Sequence, residues 1–116
     1  MALPEFSQLC NEAKQQIEEI TPEDLRLLQR SGEDFALIDV REREESANGV
    51  IANAVAIPRG IVELSIDQVT TDKNKKIVLY CAGGNRSALA AWMLKKMGFT
   101  NVISLAGGYR GWMLSQ

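Results

Sequence analysis

The chain has 116 residues, enough for one hydrophobic core, and its 46% apolar and 24% charged content is that of an ordinary soluble protein. A net charge of −2 and a pI of about 5.2 argue against binding to nucleic acid or anionic membranes, because both need a broad cationic surface. The absence of histidine excludes Cys-His and Ser-His catalytic pairs and histidine metal sites.

The first part of the chain predicts two helices. Residues 5–19 place apolar side chains at a spacing of three to four, with Cys10 in the apolar stripe as a packed residue. The second helix begins at Thr21-Pro22-Glu23-Asp24, which supplies a capping hydroxyl, a proline suited to the first turn, and acidic residues that complement the helix dipole. It ends near Ser31-Gly32.

From residue 35 onward, predicted strands alternate with predicted helices. The strands are short apolar runs bounded by turn signals, at residues 35–40, 54–58, 76–81 and 101–107. The helical segments are residues 41–48, 60–69, 87–97 and 108–114. Such alternation needs crossover connections, so we expect a mostly parallel sheet with helices on both faces. Ligands of such sheets lie beyond the carboxyl ends of the strands, where Cys81 stands.

Two cysteines, Cys10 and Cys81, are too few for a disulfide framework or a thiolate zinc cage, so we expect no metal and no other cofactor. The first 15 residues lack the early cations and apolar core of a secretory signal, and no apolar run of about 18 residues could span a bilayer. We therefore expect a cytoplasmic protein with reduced thiols.

Residues 80–87, Y-C-A-G-G-N-R-S, carry the clearest chemical signal. Gly83 and Gly84 permit positive φ and lack side chains, so successive backbone amides can point at one spot. The helix that begins near Arg86 adds unpaired amides and the positive end of its dipole. We expect a partly exposed Cys81 thiolate in this cradle, with a pKa below that of free cysteine and no need of a histidine. The alternative is a buried strand residue before a tight turn.

Four motifs, in chain order, resemble those of the single-domain rhodanese-like sulfurtransferases. Asp39-Val40-Arg41-Glu42 resembles the family's D-V-R-E, and residues 49–58 (GVIANAVAIP) resemble G-H-I-x-G-A-x-x-I-P. Residues 80–87 resemble the Y-C-x-x-G-x-R-S loop, and residues 105–112 (LAGGYRGW) resemble L-x-G-G-x-x-x-W. The similarity covers residues 17–116, which we expect to form the rhodanese-like domain after an N-terminal helical extension, residues 1–16.

The resemblance implies a three-layer α/β/α fold with a five-stranded, mostly parallel central sheet. It also implies a ping-pong reaction in which the Cys81 thiolate takes the outer sulfur of a donor such as thiosulfate and becomes a persulfide. The sulfur then passes to a thiophilic acceptor: cyanide, a thiol or a sulfur-carrier protein. The expected partners are thus a small sulfur donor and such an acceptor, with no nucleic acid and no membrane.

Cys81 is the expected catalytic residue. The expected substrate-binding residues are its loop and one nearby arginine: Ala82, Gly83, Gly84, Asn85, Arg86, Ser87 and Arg59. Two roles stay open for Arg86, an ion pair within the fold or a contact to the donor, and a solvated position is the alternative for Arg59. Asp39 and Arg41 are expected to support the site by pairing with each other or with loop backbone. A turn and a core anchor are expected of Gly107, Gly108 and Trp112.

The sequence departs from the family pattern at three places. Val50 stands where the family usually has histidine and Asn53 where it usually has glycine, which affects packing near the second turn more than the chemistry. Within the cysteine loop Arg86 is the only cation, so we expect modest turnover of the thiosulfate dianion.

Two other functions compete with sulfur transfer. Cysteine-dependent phosphatases and arsenate reductases use a Cys-x5-Arg loop, whereas Cys81 and Arg86 are spaced as Cys-x4-Arg. One residue fewer removes about 3.3–3.6 Å of chain, so the ring is too tight for a phosphoryl group but admits a sulfur atom. A non-catalytic rhodanese-like module that binds a partner protein is the second alternative, and the presence of Cys81 disfavours it.

Overall fold

Six α-helices and five strands alternate along residues 2–116, the part of the chain that the computed structural model describes. The helices are α1 (Pro4–Gln16), α2 (Pro22–Ser31), α3 (Arg43–Ser46), α4 (Val62–Ser65), α5 (Asn85–Lys96) and α6 (Gly108–Leu114). The strands are β1 (Glu18–Ile20), β2 (Ala36–Asp39), β3 (Val55–Ala56), β4 (Ile77–Tyr80) and β5 (Val102–Leu105). Turns of 3-10 helix, Arg59–Ile61 and Ile66–Gln68, flank α4.

The strands form one sheet in the order β1-β5-β4-β2-β3, and each neighbouring pair is parallel. The predicted α/β fold with a five-stranded parallel sheet is therefore confirmed. Because β4 lies at the centre between β5 and β2, the loop that follows it opens at the middle of the sheet's carboxyl edge. That is the position in which parallel sheets bind ligands.

The prediction of a helix through residue 19 was wrong at its end. The backbone of Ile17 is extended, with φ −130° and ψ 169°, and Glu18 to Ile20 then form the edge strand β1. Ile20 is paired with Leu105 of β5, and Glu18 with Ile103. This pairing to a strand more than eighty residues away outweighs the local helical pattern.

The predicted start of α2 is confirmed in detail. The Asp24 amide donates to Thr21 Oγ1 at 3.1 Å, and the Thr21 amide donates to Asp24 Oδ2 at 3.1 Å, so the two residues form a capping box. Gly32 ends the helix with φ +76°, a left-handed conformation that glycine adopts without a steric penalty.

The side chains of β4 alternate between two hydrophobic cores. Ile77 and Leu79 join the core beneath α4 and α5, whereas Val78 and Tyr80 join the core beneath α2 and α6. Cys81 follows the alternation and belongs to the α5 side. The sheet therefore has helices on both faces, as predicted.

The first helix packs against α5. It buries Cys10 and Ala13, and Lys95 of α5 donates to the carbonyl of Gln16 at 2.6 Å. Phe6 and Leu9, which share the predicted apolar stripe, are 40% and 45% exposed. Among residues 2–116 no helix combines the length and apolar character needed to cross a bilayer.

Asn53 has a left-handed backbone conformation, with φ +72°. It stands where the family pattern has glycine. Asparagine is one of the few residues that tolerate this conformation, so the turn keeps its shape without glycine.

Candidate active site

Cys81 is the first residue after β4, at the centre of the sheet's carboxyl edge. Its side chain is only 1% exposed, so the expectation of a partly exposed thiol was wrong. The residue nevertheless lines a cavity of about 370 Å³, within the range of about 300–1,000 Å³ usual for small-molecule sites. The cavity is lined by Phe6, Cys81, Ala82, Gly83, Asn85, Arg86 and Arg110.

The loop wraps its backbone around the sulfur. The Gly84 amide donates to Cys81 Sγ at 3.0 Å, and α5 begins at the next residue, Asn85. Gly84 takes φ +105°, which only glycine adopts readily, whereas Gly83 does not use positive φ. The prediction that both glycines permit a left-handed turn thus holds for Gly84 alone. A side chain at Gly84 would also meet the backbone nitrogen of Gly107 at 3.3 Å.

A buried chain of hydroxyl groups leads to the sulfur. The Ser87 hydroxyl lies 3.5 Å from Cys81 Sγ and 2.8 Å from the hydroxyl of Ser104, and all three side chains are buried. Burial opposes ionisation of Cys81, but hydrogen bonds from the Ser87 side chain and from the amides of Ser87, Gly84 and Gly83 outweigh it. The pKa of the Cys81 thiol is consequently lower than usual.

Backbone amides at the start of α6 bind carbonyl groups of the cysteine loop. The amide of Tyr109 donates to the carbonyl of Cys81 at 2.7 Å, and the amide of Arg110 donates to the carbonyl of Ala82 at 3.1 Å. In a trans peptide the N–H points away from the C=O, so these two bonds turn the amides of Ala82 and Gly83 away from α6. The turn expected at Gly107 and Gly108 is present, and it places these two amides against the loop.

Asp39 and Arg41 pair with each other rather than with the loop. Arg41 Nη2 lies 2.7 Å from Asp39 Oδ2, Arg41 Nε also donates to both carboxylate oxygens at 3.1 Å, and the two side chains are buried. Arg41 Nη2 further donates to the carbonyl of Gly49 at 2.6 Å, and its guanidinium lies 4.0 Å above the ring of Tyr109. The pair therefore reaches the loop through Tyr109, whose amide binds the Cys81 carbonyl, and through the ring of Tyr80, 5.7 Å from the Arg41 guanidinium.

Of the two roles left open for Arg86, the structure shows the ion pair within the fold. Its guanidinium binds Glu45 through both carboxylate oxygens, at 2.8 and 3.1 Å. These bonds lower the pKa of Glu45 to about 2, and Glu45 also accepts from the amide of Glu42 at 2.9 Å. Because Arg86 also lines the cavity, it joins α3 to the cysteine loop at the rim of the site.

The structure does not bring Arg59 into this cavity. Its guanidinium lies 2.7 Å from Glu63, one helical turn further along the chain, and its backbone amide donates to the carbonyl of Val40 at 3.0 Å. Arg59 therefore lies outside this cavity, and its contact with a donor stays a prediction.

Two residues of the cavity were missed by the sequence analysis. Arg110 places its guanidinium beside the loop, 3.6 Å from where a side chain of Gly83 would begin, so Arg86 is not the only cation at the site. Phe6 reaches the cavity from α1. Neither has a local sequence signal, because both are brought to the loop by the packing of separate helices.

Known proteins are similar to this chain over most of its length. The model of the rhodanese-like domain matches residues 21–115. A sulfurtransferase of Allochromatium vinosum is 31% identical over 96 residues, covering 83% of this chain and 88% of that protein. YrkF of Bacillus subtilis, a candidate sulfur carrier protein, is 38% identical over 96 residues, covering 83% of this chain but only 51% of YrkF.

Solved structures agree on the fold. The human single-domain sulfurtransferase TSTD1 superposes with a TM-score of 0.75 at 28% identity, covering 84% of this chain and 96% of that chain. A protein of unknown function and possible tyrosine phosphatase from Rhodopseudomonas palustris gives a TM-score of 0.87 at 32% identity. It covers 99% of this chain and 94% of its own, so the likeness extends through α1.

Proposed function

The chain belongs to the rhodanese-like domain family, and from this premise we propose that it moves sulfane sulfur from a donor such as thiosulfate to a thiophilic acceptor through a persulfide on Cys81. The sulfurtransferases among its relatives support sulfur transfer as the general activity. The observation that carries the proposal is the 3.0 Å hydrogen bond from the Gly84 amide to Cys81 Sγ, because it stabilises a sulfur anion in a chain that has no histidine to act as its base.

In the first half-reaction the Cys81 thiolate attacks the outer sulfur of thiosulfate. A new S–S bond forms at Cys81, the S–S bond of the donor breaks, and its electron pair leaves with sulfite. The product is a persulfide anion, which has one more sulfur atom and the same charge as the thiolate. The negative charge then lies on the outer sulfur, while the amide of Gly84 and the hydroxyl of Ser87 keep Sγ in place.

In the second half-reaction a nucleophilic acceptor takes the outer sulfur. The S–S bond on Cys81 breaks, its electron pair returns to Sγ, and the lowered pKa of the thiol makes Cys81 a good leaving group. Cyanide and small thiols can accept the sulfur chemically. The similarity to YrkF supports a sulfur-carrier protein as an acceptor of this chain.

The remaining roles follow from the contacts of the loop. Ala82, Gly83 and Asn85 line the cavity and form the donor-binding surface, while Gly84 and Ser87 bind the sulfur of Cys81. Arg86, Asp39 and Arg41 hold the loop in place. Residues 17–116 are the catalytic domain in this proposal, and residues 1–16 are an extension packed on it.

A phosphatase is the second candidate, because a structural neighbour from Rhodopseudomonas palustris is a possible tyrosine phosphatase. The ring from Cys81 to Arg86 is one residue shorter than the Cys-x5-Arg loop, and Arg86 gives both of its terminal nitrogens to Glu45. Both features favour a sulfur atom over a phosphoryl group. A binding module without catalysis is disfavoured by the lowered pKa of Cys81, which such a module does not require.

The mass of the intact protein tests the proposal. Incubation with thiosulfate should add one sulfur, about 32 Da, to Cys81, because the thiolate is the nucleophile. Cys81→Ser should abolish the adduct, and Cys10→Ser, which alters the other buried thiol, should leave it unchanged. Phosphatase turnover without an adduct would favour the second candidate, and neither activity would favour the binding module.

A further inference from the structure

The cavity over Cys81 has two walls that the reaction described above does not use. One is the guanidinium of Arg110, from the first turn of α6. The other is the ring of Phe6, from the first turn of α1. Phe6 lies outside residues 21–115, the part of the chain that matches the family model. The two side chains come from opposite ends of the chain to one small site.

The guanidinium of Arg110 is positioned but unpaired. Its backbone amide is bound to the carbonyl of Ala82 at 3.1 Å, which places the residue directly behind the loop. Gly83 has no side chain, and the guanidinium lies 3.6 Å from where its Cβ would be. Within residues 2–116 the Arg110 side chain forms no ion pair, whereas the Arg86 side chain forms one with Glu45. Arg110 is thus the cation of the cavity that is available to an anion.

Phe6 lines the cavity from α1 and is 40% exposed. One turn further along α1, Cys10 is buried, and Lys95 of α5 binds the carbonyl at the end of the helix at 2.6 Å. The ring therefore forms a placed apolar wall. It offers no favourable contact to a small hydrated dianion, because such an ion has no apolar surface to bury.

We propose that Phe6 and Arg110 form a donor-specificity subsite, which favours sulfane donors that carry an apolar group beside their anionic head over inorganic thiosulfate. The inference rests on the proposed function. Arg110 binds the anionic head next to the loop, and Phe6 packs against the apolar group. An aryl thiosulfonate is the simplest donor with both features.

The chemistry with such a donor balances as it does with thiosulfate. The Cys81 thiolate attacks the outer sulfur of the thiosulfonate anion, an S–S bond forms at Cys81, and the S–S bond of the donor breaks. The electron pair leaves with the aryl sulfinate anion. One negative charge stays on the persulfide and one on the sulfinate, so no oxidant, reductant or proton is required.

Steady-state kinetics with benzenethiosulfonate and with thiosulfate, using cyanide as acceptor, test the subsite. Wild-type protein should show the higher kcat/KM with benzenethiosulfonate. Arg110→Gln should lower kcat/KM for both donors by about tenfold to a hundredfold, mainly through KM, because it removes a charge-assisted contact to the anionic head. Phe6→Ala should lower kcat/KM about threefold to tenfold for the aryl donor alone.

Matched variants separate the subsite from general damage to the fold. Leu9→Ala removes a similarly exposed apolar side chain from α1 outside the cavity, and Arg30→Gln removes a cation from α2; neither should change kcat/KM for either donor. Phe6→Leu, which keeps an apolar wall, should retain part of the preference. Equal losses for both donors in Phe6→Ala, or an Arg110→Gln variant with the KM of wild type, would overturn the inference. Failure of the proposed function would look different, since no donor would then place sulfur on Cys81.

Discussion

The backbone of Gly108 passes so close to Cys81 that a methyl group on Gly108 would lie 2.5 Å from the Cys81 carbonyl oxygen. It would also lie 2.6 Å from the backbone carbon and oxygen of Ala82, and φ at Gly108 is +59°. This contact between two backbones lets α6 hold the cysteine loop by hydrogen bonds to both carbonyls.

Gly108→Ala should therefore lower the free energy of unfolding by at least about 2 kcal/mol, because a left-handed alanine and a backbone overlap add together. It should also abolish most of the persulfide formation, since the loop must move to relieve the overlap. Gly60→Ala is the matched control, because a side chain there meets nothing within 4 Å. Denaturant unfolding of both variants measures the difference, and equal stabilities would contradict the packing described.

Replacing the hydroxyl next to the sulfur should raise the pKa of Cys81. The Ser87 hydroxyl lies 3.5 Å from Cys81 Sγ, and its hydrogen bond favours the thiolate. In Ser87→Ala the pH dependence of alkylation of Cys81 should move to higher pH. Ser104→Ala should cause a smaller shift in the same direction, because Ser104 acts on the sulfur only through Ser87. A profile identical to that of wild type in Ser87→Ala would show that the backbone amides alone set the pKa.

Much of this fold could be predicted because its signals are local. The capping pair Thr21 and Asp24, the left-handed Gly32, and the central strand before Cys81 are all visible in short stretches of sequence. Strand β1 could not be predicted in this way. Its residues Glu18 and Glu19 are exposed at the sheet edge, so they show no apolar alternation, and only pairing with β5 makes them a strand.

The ion pair between Glu45 and Arg86 should make stability depend on pH in acid. The pKa of Glu45 falls from 4.5 to about 2 in the folded protein, so its contribution is complete above about pH 4.5 and is lost as the pH falls through about 2. Because both side chains are about one third exposed, the contribution at neutral pH should be only about 1 kcal/mol. Wild type should exceed Glu45→Gln in stability at pH 7, and the gap should close between pH 4.5 and 2.

Glu44→Gln provides the control for that titration, since the Glu44 carboxylate has no ion pair within residues 2–116. Its stability should follow that of wild type across the same pH range. A gap between wild type and Glu45→Gln that persists at pH 2 would contradict the assignment.

Breaking the buried ion pair between Asp39 and Arg41 should lower the free energy of unfolding far more than breaking the more exposed pair between Arg59 and Glu63. Asp39→Asn leaves Arg41, which is 6% exposed, without its counter-charge and should lower the free energy of unfolding by about 3–5 kcal/mol. Glu63→Gln removes the partner of Arg59 in a more exposed pair and should cost less than about 1 kcal/mol. Chemical denaturation compares the two, and a similar small loss in both would contradict a supporting role for Asp39.

The candidate site likewise contains residues that the sequence could predict and residues that it could not. Cys81, its glycines and the helix that follows were predictable, because they are consecutive and their chemistry depends on backbone direction. Arg110 and Phe6 were not, because nothing in their own segments indicates that the first turns of α6 and α1 meet at one cavity. The burial of Cys81 likewise depends on how the surrounding helices pack.

If the loop holds the sulfur of Cys81 as an anion, the pH dependence of alkylation at Cys81 should reveal it. The rate of iodoacetamide modification at Cys81 can be followed from pH 4 to 10 by mass spectrometry of its peptide, in steps of about half a unit, with free cysteine measured alongside. Cys10 is an internal reference, since burial raises the pKa of its thiol. We predict a midpoint for Cys81 below that of free cysteine. A midpoint equal to or above it would contradict the account.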